Sequence, residues 1–232
     1  MHVRMAVWLL CTELLLGSAG AASADPVDPL PLVRVEAPPG SDGPLVVILS
    51  GDGDWVAIMR DLAAAAASAG APVLGLKSRA YLTRPRSPDE LSAALEPEVR
   101  AALRAAHRDA LVVIGYSRGA DFVPFVVNRW PGDLRERVRA IALVGLSEHA
   151  SFEFHLEDLL HTVQRPTDVP TRPELEKLHG IPITCIRGAD ESDSFCERPV
   201  PGMQVSTHAG GHRATSDDGT IAVALRAVGL AR

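Results

Sequence analysis

The sequence predicts an α/β protein with a mostly parallel central sheet covered by helices on both faces. Apolar runs alternate with helix-like stretches along the chain, and each run is apolar throughout instead of alternating with polar residues. Strands buried on both faces have this pattern, which is typical of parallel sheets. The chain has 232 residues, 47% of them hydrophobic, so it can bury a substantial core, and disorder is excluded as its main state.

The predicted elements follow one another in a regular order. A segment rich in Pro, Asp and Gly at 25–44 contains a candidate edge strand, LPLVRVEA. An alanine-rich helix ends at Gly70, and Pro88 begins a second helix that Pro97 is expected to kink or divide. Residues 148–180 form the longest excursion from the pattern. The further elements are the strands LVVILS at 45–50 and PVLGL at 72–76, the loop KSRAYLTRPRSP, the strand, turn and helix of DALVVIGYSRGADFVPFVVNRW, the strands RVRAIALVGLS at 137–147, IPITCIRG at 181–188 and MQVSTH at 203–208, and the last helix DDGTIAVALRAVGLA.

The opening residues are typical of a secretory signal peptide. A basic start with Arg4, an apolar stretch and the small residues of an A-x-A site at Ala22–Ala24 form this pattern. A bilayer span would need about 20 uninterrupted apolar residues, which the stretch does not supply. We expect cleavage after Ala24, leaving residues 25–232 as a single domain in the periplasm. The formal net charge of −6 argues against a general nucleic-acid binder.

The expected export of the protein affects the state predicted for its cysteines. Once the signal peptide is removed, Cys185 and Cys196 remain from the three cysteines of the chain. In an oxidising compartment this pair is expected to form a disulfide that closes a short loop, the alternative being two reduced thiols. A zinc site needs more ligands than these two, and GDGD at 51–54 lacks the other ligands of an EF-hand loop. We therefore expect no metal and no cofactor.

Gly115-Tyr116-Ser117-Arg118-Gly119 is a G-x-S-x-G motif between a predicted strand and a predicted helix. A tight strand-to-helix turn of this kind holds the serine in a strained conformation and exposes its hydroxyl at the carboxyl edge of the sheet. The motif predicts Ser117 as a nucleophile. A serine hydroxyl needs a base to take its proton, and in α/β-hydrolases the chain order is serine, acid, histidine.

The histidine and the acid follow from that order. His212 lies in a glycine loop between the last strand and the last helix, which fits the base, while His208 ends the strand and is the nearest competitor. Glu191 comes three residues after the glycine that ends strand CIRG and is the favoured acid, with Asp193 and Asp190 as alternatives. The other histidines are expected to be structural: His107, His149, His155, His161 and His179.

An oxyanion hole needs backbone N–H groups aimed at the charge that develops on the substrate. The residue after the nucleophile, Arg118, is expected to supply one. The loop after the first strong strand is expected to supply the other, from Asp52 or Gly53, because its glycines let the backbone approach a substrate.

Several segments together resemble the VirJ/AcvB family of bacterial virulence proteins: VVILSGDGDW, GYSRGADFVPF, ALVGLSEHASFEF and CIRGADESDSFC. The resemblance runs from about residue 43 to 229. It implies an α/β-hydrolase fold, export to the periplasm, Ser117 as nucleophile and His212 as base. Asp121 matches a family position and is expected to be structural. Asp54 stands where the family pattern is expected to have glycine, and Lys77 where it often has aspartate.

The resemblance also implies an activity. Members of the family include hydrolases that remove the aminoacyl group from lysyl- or alanyl-phosphatidylglycerol, and other members are linked with type IV secretion and virulence. We expect a serine esterase acting on such a lipid at the membrane surface, and no nucleic-acid partner. A binding or chaperone factor associated with secretion-system proteins and a generic carboxylesterase are the alternatives. Four arginines are candidates to bind the lipid phosphate: Arg79, Arg84, Arg86 and Arg118. For Arg79, Arg84 and Arg86, an exposed basic loop is an equally good explanation.

Overall fold

The structure is a computed structural model that describes residues 29–159 and 164–231. The expected signal peptide at 1–24 and His161 lie outside the described residues. Within those two described ranges, no helix is both long enough and apolar enough to cross a membrane.

A seven-stranded sheet forms the centre of the described part of the chain, and two very short strands form a separate pair. The strands in chain order are β1 (Leu32–Val35), β2 (Leu45–Leu49), β3 (Val73–Leu76), β4 (Leu111–Tyr116), β5 (Val138–Val144), β6 (His149–Ala150), β7 (Val169–Pro170), β8 (Ile183–Gly188) and β9 (Gln204–His208). The order across the sheet is β1-β3-β2-β4-β5-β8-β9, and β6 pairs with β7. Neighbouring strands of the sheet run parallel, except that β1 at the edge runs antiparallel to β3. The predicted mostly parallel sheet and its edge strand are therefore confirmed.

Helices and short helical turns fill the connections. Gly70 follows the first long helix with a φ of +88°, which suits the predicted glycine stop. The predicted loop after β3 contains a one-turn helix that the sequence pattern missed. The helices are α1 (Ala57–Ser68), α2 (Ser78–Tyr81), α3 (Pro88–Ala105), α4 (Arg118–Arg129), α5 (Gly132–Arg135), α6 (Arg172–Glu176) and α7 (Thr220–Ala227), with 3₁₀ turns at Leu156–Leu159 and Phe195–Glu197.

Helix α3 is not divided at Pro97, so of the two effects expected of this proline, a kink or a division, the structure excludes division. The helix begins with a capping box between Ser87 and Glu90 and runs on through Pro97. Pro97 and Ala93, whose carbonyl loses its intrahelical partner at this proline, both lie on the exposed face. Water can hydrogen-bond that carbonyl, and the buried face of the helix continues undisturbed from Leu95 to Val99.

Both faces of the sheet are covered by apolar packing. Because successive side chains of a strand point to opposite faces, the five residues of β2 divide between two clusters. Val47 packs with residues of α3 and α4, whereas Ile48 packs with residues of α1 and α7. This burial on both sides explains why the strand is an uninterrupted apolar run.

The parallel strands end together at one edge of the sheet. In the strand register Leu49 pairs with Gly115, Gly115 with Leu143 and Leu143 with Cys185. The segments that follow β2, β4, β5, β8 and β9 therefore meet at this edge, although they are far apart in the sequence. This edge is where ligands bind in open parallel sheets.

Candidate active site

Ser117 lies in the turn between β4 and α4 with a φ of 52° and a ψ of −126°. A residue with a side chain is strained in this left-handed region, and such strain is held in place by the surrounding structure. A Cβ on Gly119 would lie 2.1 Å from the Leu49 carbonyl oxygen, and one on Gly115 would lie 2.5 Å from the Ala120 Cα. The two glycines of the motif thus allow the helix and the neighbouring strand to approach the serine.

A hydrogen-bonded row runs from Ser117 to Glu191. The Ser117 Oγ lies 2.9 Å from His212 Nε2, and His212 Nδ1 lies 2.8 Å from Glu191 Oε1. Gly145, which follows β5 with a φ of +66°, makes room for the imidazole, because a Cβ there would lie 2.9 Å from His212 Cε1. The structure brings together the serine, the histidine and the favoured acid of the sequence prediction.

Glu191 is the one of the three candidate carboxylates that contacts His212 within the described residues. Its side chain is buried, and its Oε2 accepts a hydrogen bond of 3.1 Å from the Gly188 N–H. Asp190 and Asp193 are both exposed. Asp193 lines the cavity described below but does not reach the imidazole.

Glu191 and His212 each stabilise the charged form of the other. The hydrogen bond to Glu191 raises the pKa of His212, and this effect exceeds the opposing effect of burial. Burial raises the pKa of Glu191, but the hydrogen bond from His212, its charge and the Gly188 N–H outweigh burial and leave that pKa below its usual value. The arrangement therefore favours a carboxylate beside a histidine that can accept a proton and hold it.

Two other residues hold the loop that carries His212. The Tyr116 hydroxyl accepts a hydrogen bond of 3.1 Å from the Ala214 N–H and lies 3.5 Å from the His212 carbonyl oxygen. His208 is buried at the end of β9, with its Nδ1 3.4 Å from Asp218 Oδ2. The competing histidine thus contacts Asp218 in the base of the loop, while His212 contacts the serine.

A disulfide joins Cys185 in β8 to Cys196 in the 3₁₀ turn at Phe195–Glu197. Both sulfur-bearing residues are buried, and Glu191 lies in the segment that they close. The expected pairing is therefore present in the structure, and it ties both ends of the acid loop to the core.

The loop after β2 packs directly against the turn at Tyr116–Gly119, which carries the candidate nucleophile Ser117 and is called the nucleophile turn below. A Cβ on Gly51 would lie 2.9 Å from the Ser117 Cβ, so the loop backbone touches this turn. Asp52 lines the cavity, whereas Gly53 lies against Val56. The Arg118 N–H is in the first turn of α4, where helix geometry supplies no acceptor. Of the three residues expected to form the oxyanion hole, Asp52 and Arg118 therefore line the cavity beside Ser117, and Gly53 is not among its lining residues.

Asp54 has a φ of 57°, a conformation that glycine adopts without strain. This position is the one where the family pattern is expected to have glycine. The Asp54 side chain accepts hydrogen bonds from the Ala80 N–H at 3.0 Å and from Arg79 at 3.3 Å. These contacts with α2 compensate for the backbone conformation and fix the end of the loop.

A cavity of about 490 Å³ opens beside Ser117 and His212. Its lining is rich in carboxylates and includes arginines. The Asp168 Oδ2 accepts a hydrogen bond of 2.7 Å from the Arg165 N–H, while its Oδ1 is buried and has no hydrogen-bond partner among the described residues. The charged lining residues are Asp52, Arg118, Asp121, Glu148, Arg165, Asp168, Glu191, Asp193 and Arg213.

Asp121 is a buried carboxyl one turn into α4. Its Oδ1 accepts a hydrogen bond of 2.8 Å from the Ser147 N–H. Burial raises its pKa to about 7, against the opposing effects of the Ser147 N–H and the Arg118 charge. The contact fastens the segment after β5 to the helix that begins at Ser117, which fits the structural role expected for this residue.

The four arginines considered for a phosphate already have partners inside the protein. Arg79 contacts Asp54 and lies over the Phe154 ring, and Arg84 lies 2.8 Å from Glu90. Arg86 lies over the ring of Tyr81. The guanidinium of Arg118 is buried and binds the Asp52 carboxylate. None of these contacts favours a phosphate site.

The sequence reasoning missed three residues of the site. Gly145 shapes the space for the imidazole, Tyr116 supports the histidine loop and Asp168 lines the cavity. Gly145 carried a detectable signal, a glycine directly after a buried strand at the carboxyl edge. Asp168 lies in the excursion, where no periodic pattern marks positions near the site.

Comparisons with known proteins identify the family and the fold. The family described as bacterial virulence protein (VirJ) matches residues 43–228. Among curated proteins no match was found. Solved structures with a similar fold include Est1E from Butyrivibrio proteoclasticus, with a TM-score of 0.59 and 11% identity over 87% of this chain and 93% of that one.

Two further esterases have a similar fold. One from Pyrococcus furiosus gives a TM-score of 0.57 and 14% identity over 85% of this chain and 89% of that one. The esterase domain of a Rhodothermus marinus protein gives a TM-score of 0.54 and 15% identity over 86% of this chain and 94% of that one. The sheet order, the turn at Ser117 and these comparisons lead to one conclusion: the chain has the α/β-hydrolase fold and belongs to the VirJ family of bacterial virulence proteins.

Proposed function

We propose that the protein is a serine esterase in which Ser117 is the nucleophile, His212 the general base and acid, and Glu191 the acid that orients and stabilises His212. The observation that carries this proposal is the row of contacts from Ser117 Oγ to His212 to Glu191, at 2.9 Å and 2.8 Å. The esterases of similar fold support an ester as the substrate.

In the first half of the reaction, the Ser117 Oγ attacks the ester carbonyl carbon while its proton passes to His212 Nε2. The carbonyl oxygen becomes an oxyanion that the N–H groups of Arg118 and Asp52 stabilise. The tetrahedral intermediate then expels the alcohol, which takes the proton from His212. The acyl group remains on Ser117 as an ester.

In the second half, a water molecule takes the place of the alcohol. His212 removes a proton from this water as it attacks the acyl carbon, and a second tetrahedral intermediate forms. Its collapse breaks the bond to the Ser117 Oγ, which takes the proton back from His212. The carboxylate of Glu191 stabilises the charged imidazole in both halves.

The proposed substrate is the aminoacyl ester of aminoacyl-phosphatidylglycerol, met at the periplasmic surface of the membrane. Two considerations support it. The resemblance to the VirJ/AcvB family points to this lipid, and the cavity beside Ser117 is lined by carboxylates such as Asp168 and Asp193 that suit an acyl group carrying an ammonium. The expected signal peptide supports the location.

The test uses protein expressed from the full coding sequence, as wild type and as Ser117→Ala. Each is incubated with vesicles that contain lysyl- or alanyl-phosphatidylglycerol, and released amino acid is measured. We expect the wild type to release amino acid and Ser117→Ala to be slower by at least about 10⁴-fold, because removal of the nucleophile removes the covalent route. Ser68→Ala, which replaces an exposed serine at the end of α1, is the matched control and should keep full activity.

Two other outcomes point to the alternative functions. Hydrolysis of a short nitrophenyl ester but of neither lipid would indicate a generic carboxylesterase. If folded wild type hydrolyses no ester and Ser117→Ala keeps the phenotype of the cell, a binding or chaperone role with secretion-system proteins is favoured instead. The description of the family as bacterial virulence proteins is the reason for considering this second role.

A further inference from the structure

Arg118 occupies an unusual position for a charged side chain. It directly follows Ser117, and it is only 7% exposed. Removing a guanidinium from water is costly unless its N–H groups find acceptors. Here the Nε donates to Asp52 Oδ1 and an Nη donates to Asp52 Oδ2 at 3.2 Å. The second Nη donates to the carbonyl oxygens of Ser151 and Glu153, at 2.7 Å and 3.1 Å.

These four acceptors belong to two separate segments. Asp52 lies in the loop after β2, and the two carbonyl groups lie in the excursion after β6. Arg118 itself is fixed to the nucleophile turn by the first turn of α4. One buried side chain therefore links the turn that carries Ser117 to the loop on one side and to the excursion on the other.

The loop held in this way is the one that touches the nucleophile. Gly51 packs against the Ser117 Cβ, and the next residue is Asp52, whose side chain binds Arg118. The turn is closed further along by a 3.0 Å hydrogen bond from the Asp54 N–H to the Gly51 carbonyl. With the side chain of Asp52 fixed, its backbone N–H is fixed relative to Ser117 as well.

We propose that the Arg118–Asp52 ion pair is a positioning device that sets the oxyanion hole, a role that rests on the proposed serine-esterase function. The planar fork of arginine matches a carboxylate and leaves a third nitrogen for the two carbonyl oxygens. Lysine carries the same charge on a single nitrogen and does not reproduce this geometry. The loss of the fork displaces the loop after β2 and with it the N–H of Asp52.

The first measurement is kinetic and uses the full-length chain with a short nitrophenyl ester. Arg118→Lys keeps the charge and loses the fork, and Asp52→Asn keeps the size and loses the charge. We expect kcat to fall by about 10- to 100-fold in each, somewhat less than the loss of an oxyanion-hole donor itself, with KM changed by less than about 3-fold. Because the two residues act as a unit, the double variant should be no slower than the slower single variant.

The second measurement reports on the oxyanion hole directly. Phenylboronic acid reacts with a serine Oγ to form a bond to boron, and the proton of the hydroxyl passes to the histidine. The boron becomes a tetrahedral anion whose oxygen occupies the oxyanion hole. We expect the inhibition constant of phenylboronic acid to rise by about 10-fold or more in Arg118→Lys and Asp52→Asn. A residue with a merely structural role would lower the melting temperature and leave this constant unchanged.

The matched control is Arg34→Lys, which makes the same change of side chain in the exposed ion pair of Arg34 with Glu98, beside the edge strand β1. It should leave kcat, KM and the boronic-acid constant as they are. If Arg118→Lys does not fold, Asp52→Asn decides alone, since Asp52 is the more exposed partner. Folded variants with unchanged kcat and boronic-acid affinity, or effects that add in the double variant, overturn the inference. A wild type that neither hydrolyses esters nor binds the probe overturns the proposed function, and the inference with it.

Discussion

The nucleophile turn and the excursion at 148–180 face each other across the cavity, and they are built in opposite ways. Around the turn, β4 and the first ten residues of α4 are almost entirely buried, and glycines bring backbones into direct contact. The described part of the excursion has a pair of two-residue strands, a 3₁₀ turn and one short α-helix. It also exposes apolar side chains, with Leu156 at 75% and Val169 at 37%.

We expect the two regions to have different roles, the turn in the reaction and the excursion in the selection of the substrate. A reaction that depends on distances near 3 Å needs side chains that are held rigidly. The packing of its turn holds Ser117, and the hydrogen bond from the Gly188 N–H and the disulfide around its loop hold Glu191. Asp168 lines the cavity from a less regular segment, and under the proposed function we expect the choice of substrate to depend on such groups. Substitutions around the turn should therefore act on kcat and on stability, whereas those in the excursion should act on the selection among esters.

The largest effect is expected from Glu191→Gln. Without the carboxylate, the imidazole loses both its orientation and the charge that stabilises its protonated form, so kcat should fall by about 10³-fold, or about 4 kcal/mol. His212 must be neutral to accept the proton, and Glu191 raises its pKa. In the wild type the rate should thus decline as pH falls through a pKa above 6.5, and in Glu191→Gln this decline should move to lower pH. A pH–rate profile of kcat measures both changes.

The alternative acids provide the controls for that experiment. Asp190→Asn should leave the profile unchanged, and Asp193→Asn should lower the His212 pKa only slightly, because Asp193 acts on it through space. A loss of activity in Asp193→Asn as large as that in Glu191→Gln would contradict the assignment of the acid.

The second effect concerns the packing of the turn. In Gly119→Ala the new methyl group would lie 2.1 Å from the Leu49 carbonyl oxygen, so the backbone of α4 or of the end of β2 must shift. We expect a loss of about 3 kcal/mol or more in the free energy of unfolding. Gly132→Ala, where a Cβ meets nothing within 4 Å, should change it by less than about 1 kcal/mol. Urea unfolding followed by circular dichroism compares the two, and equal stabilities would show that the turn is more adaptable than its packing indicates.

Replacing both cysteines tests how the acid loop is held. The disulfide closes a short segment, with a sequence separation of 11, so Cys185→Ala/Cys196→Ala should lose about 2–3 kcal/mol of stability. Because Glu191 lies between the cysteines, kcat should fall as well, while KM stays close to that of the wild type. A reducing agent should leave the double variant unaffected. Unchanged kcat in a destabilised variant would show that the hydrogen bond from the Gly188 N–H holds Glu191 without help.

The comparison of the two regions also explains what the sequence could predict. Burial on both faces leaves uninterrupted apolar runs, so β2, β4, β5 and β8 were recognisable. The G-x-S-x-G motif marks a turn whose geometry depends on neighbours in the sequence. By contrast, α3 continues through Pro97, which lies on the face opposite Leu95 and Val99. The rule that proline interrupts a helix does not consider which face the residue occupies.

The choice among the three candidate acids shows most clearly what the sequence alone could not predict. Asp190, Glu191 and Asp193 lie within four positions on one loop, and their chemistry is nearly the same. Which of them meets His212 depends on the backbone after Gly188, whose N–H binds Glu191, and on the loop after β9 that carries the histidine. The contact of Arg118 with Asp52 joins residues 66 positions apart and had no local sign at all.

The smallest effect, and the one that tests the excursion, is expected from Asp168→Asn. The Asp168 Oδ1 is buried in the cavity lining without a partner among the described residues, while its Oδ2 accepts a hydrogen bond from the Arg165 N–H. Asparagine keeps the size of the side chain and removes the charge. If the free oxygen binds the ammonium of an aminoacyl ester, KM for that ester should rise by about 10-fold, as expected for the loss of one charged hydrogen bond.

The same substitution should leave a neutral ester nearly unaffected, so the ratio of kcat/KM for an alanyl ester to that for an acetyl ester is the quantity to measure. Asp217→Asn, which replaces an exposed carboxylate near α7, controls for the change in net charge. A fall of equal size for both esters would mean that Asp168 only holds the backbone at Arg165. A fall confined to the alanyl ester would instead place substrate selection in the excursion, opposite the rigid turn that carries the nucleophile.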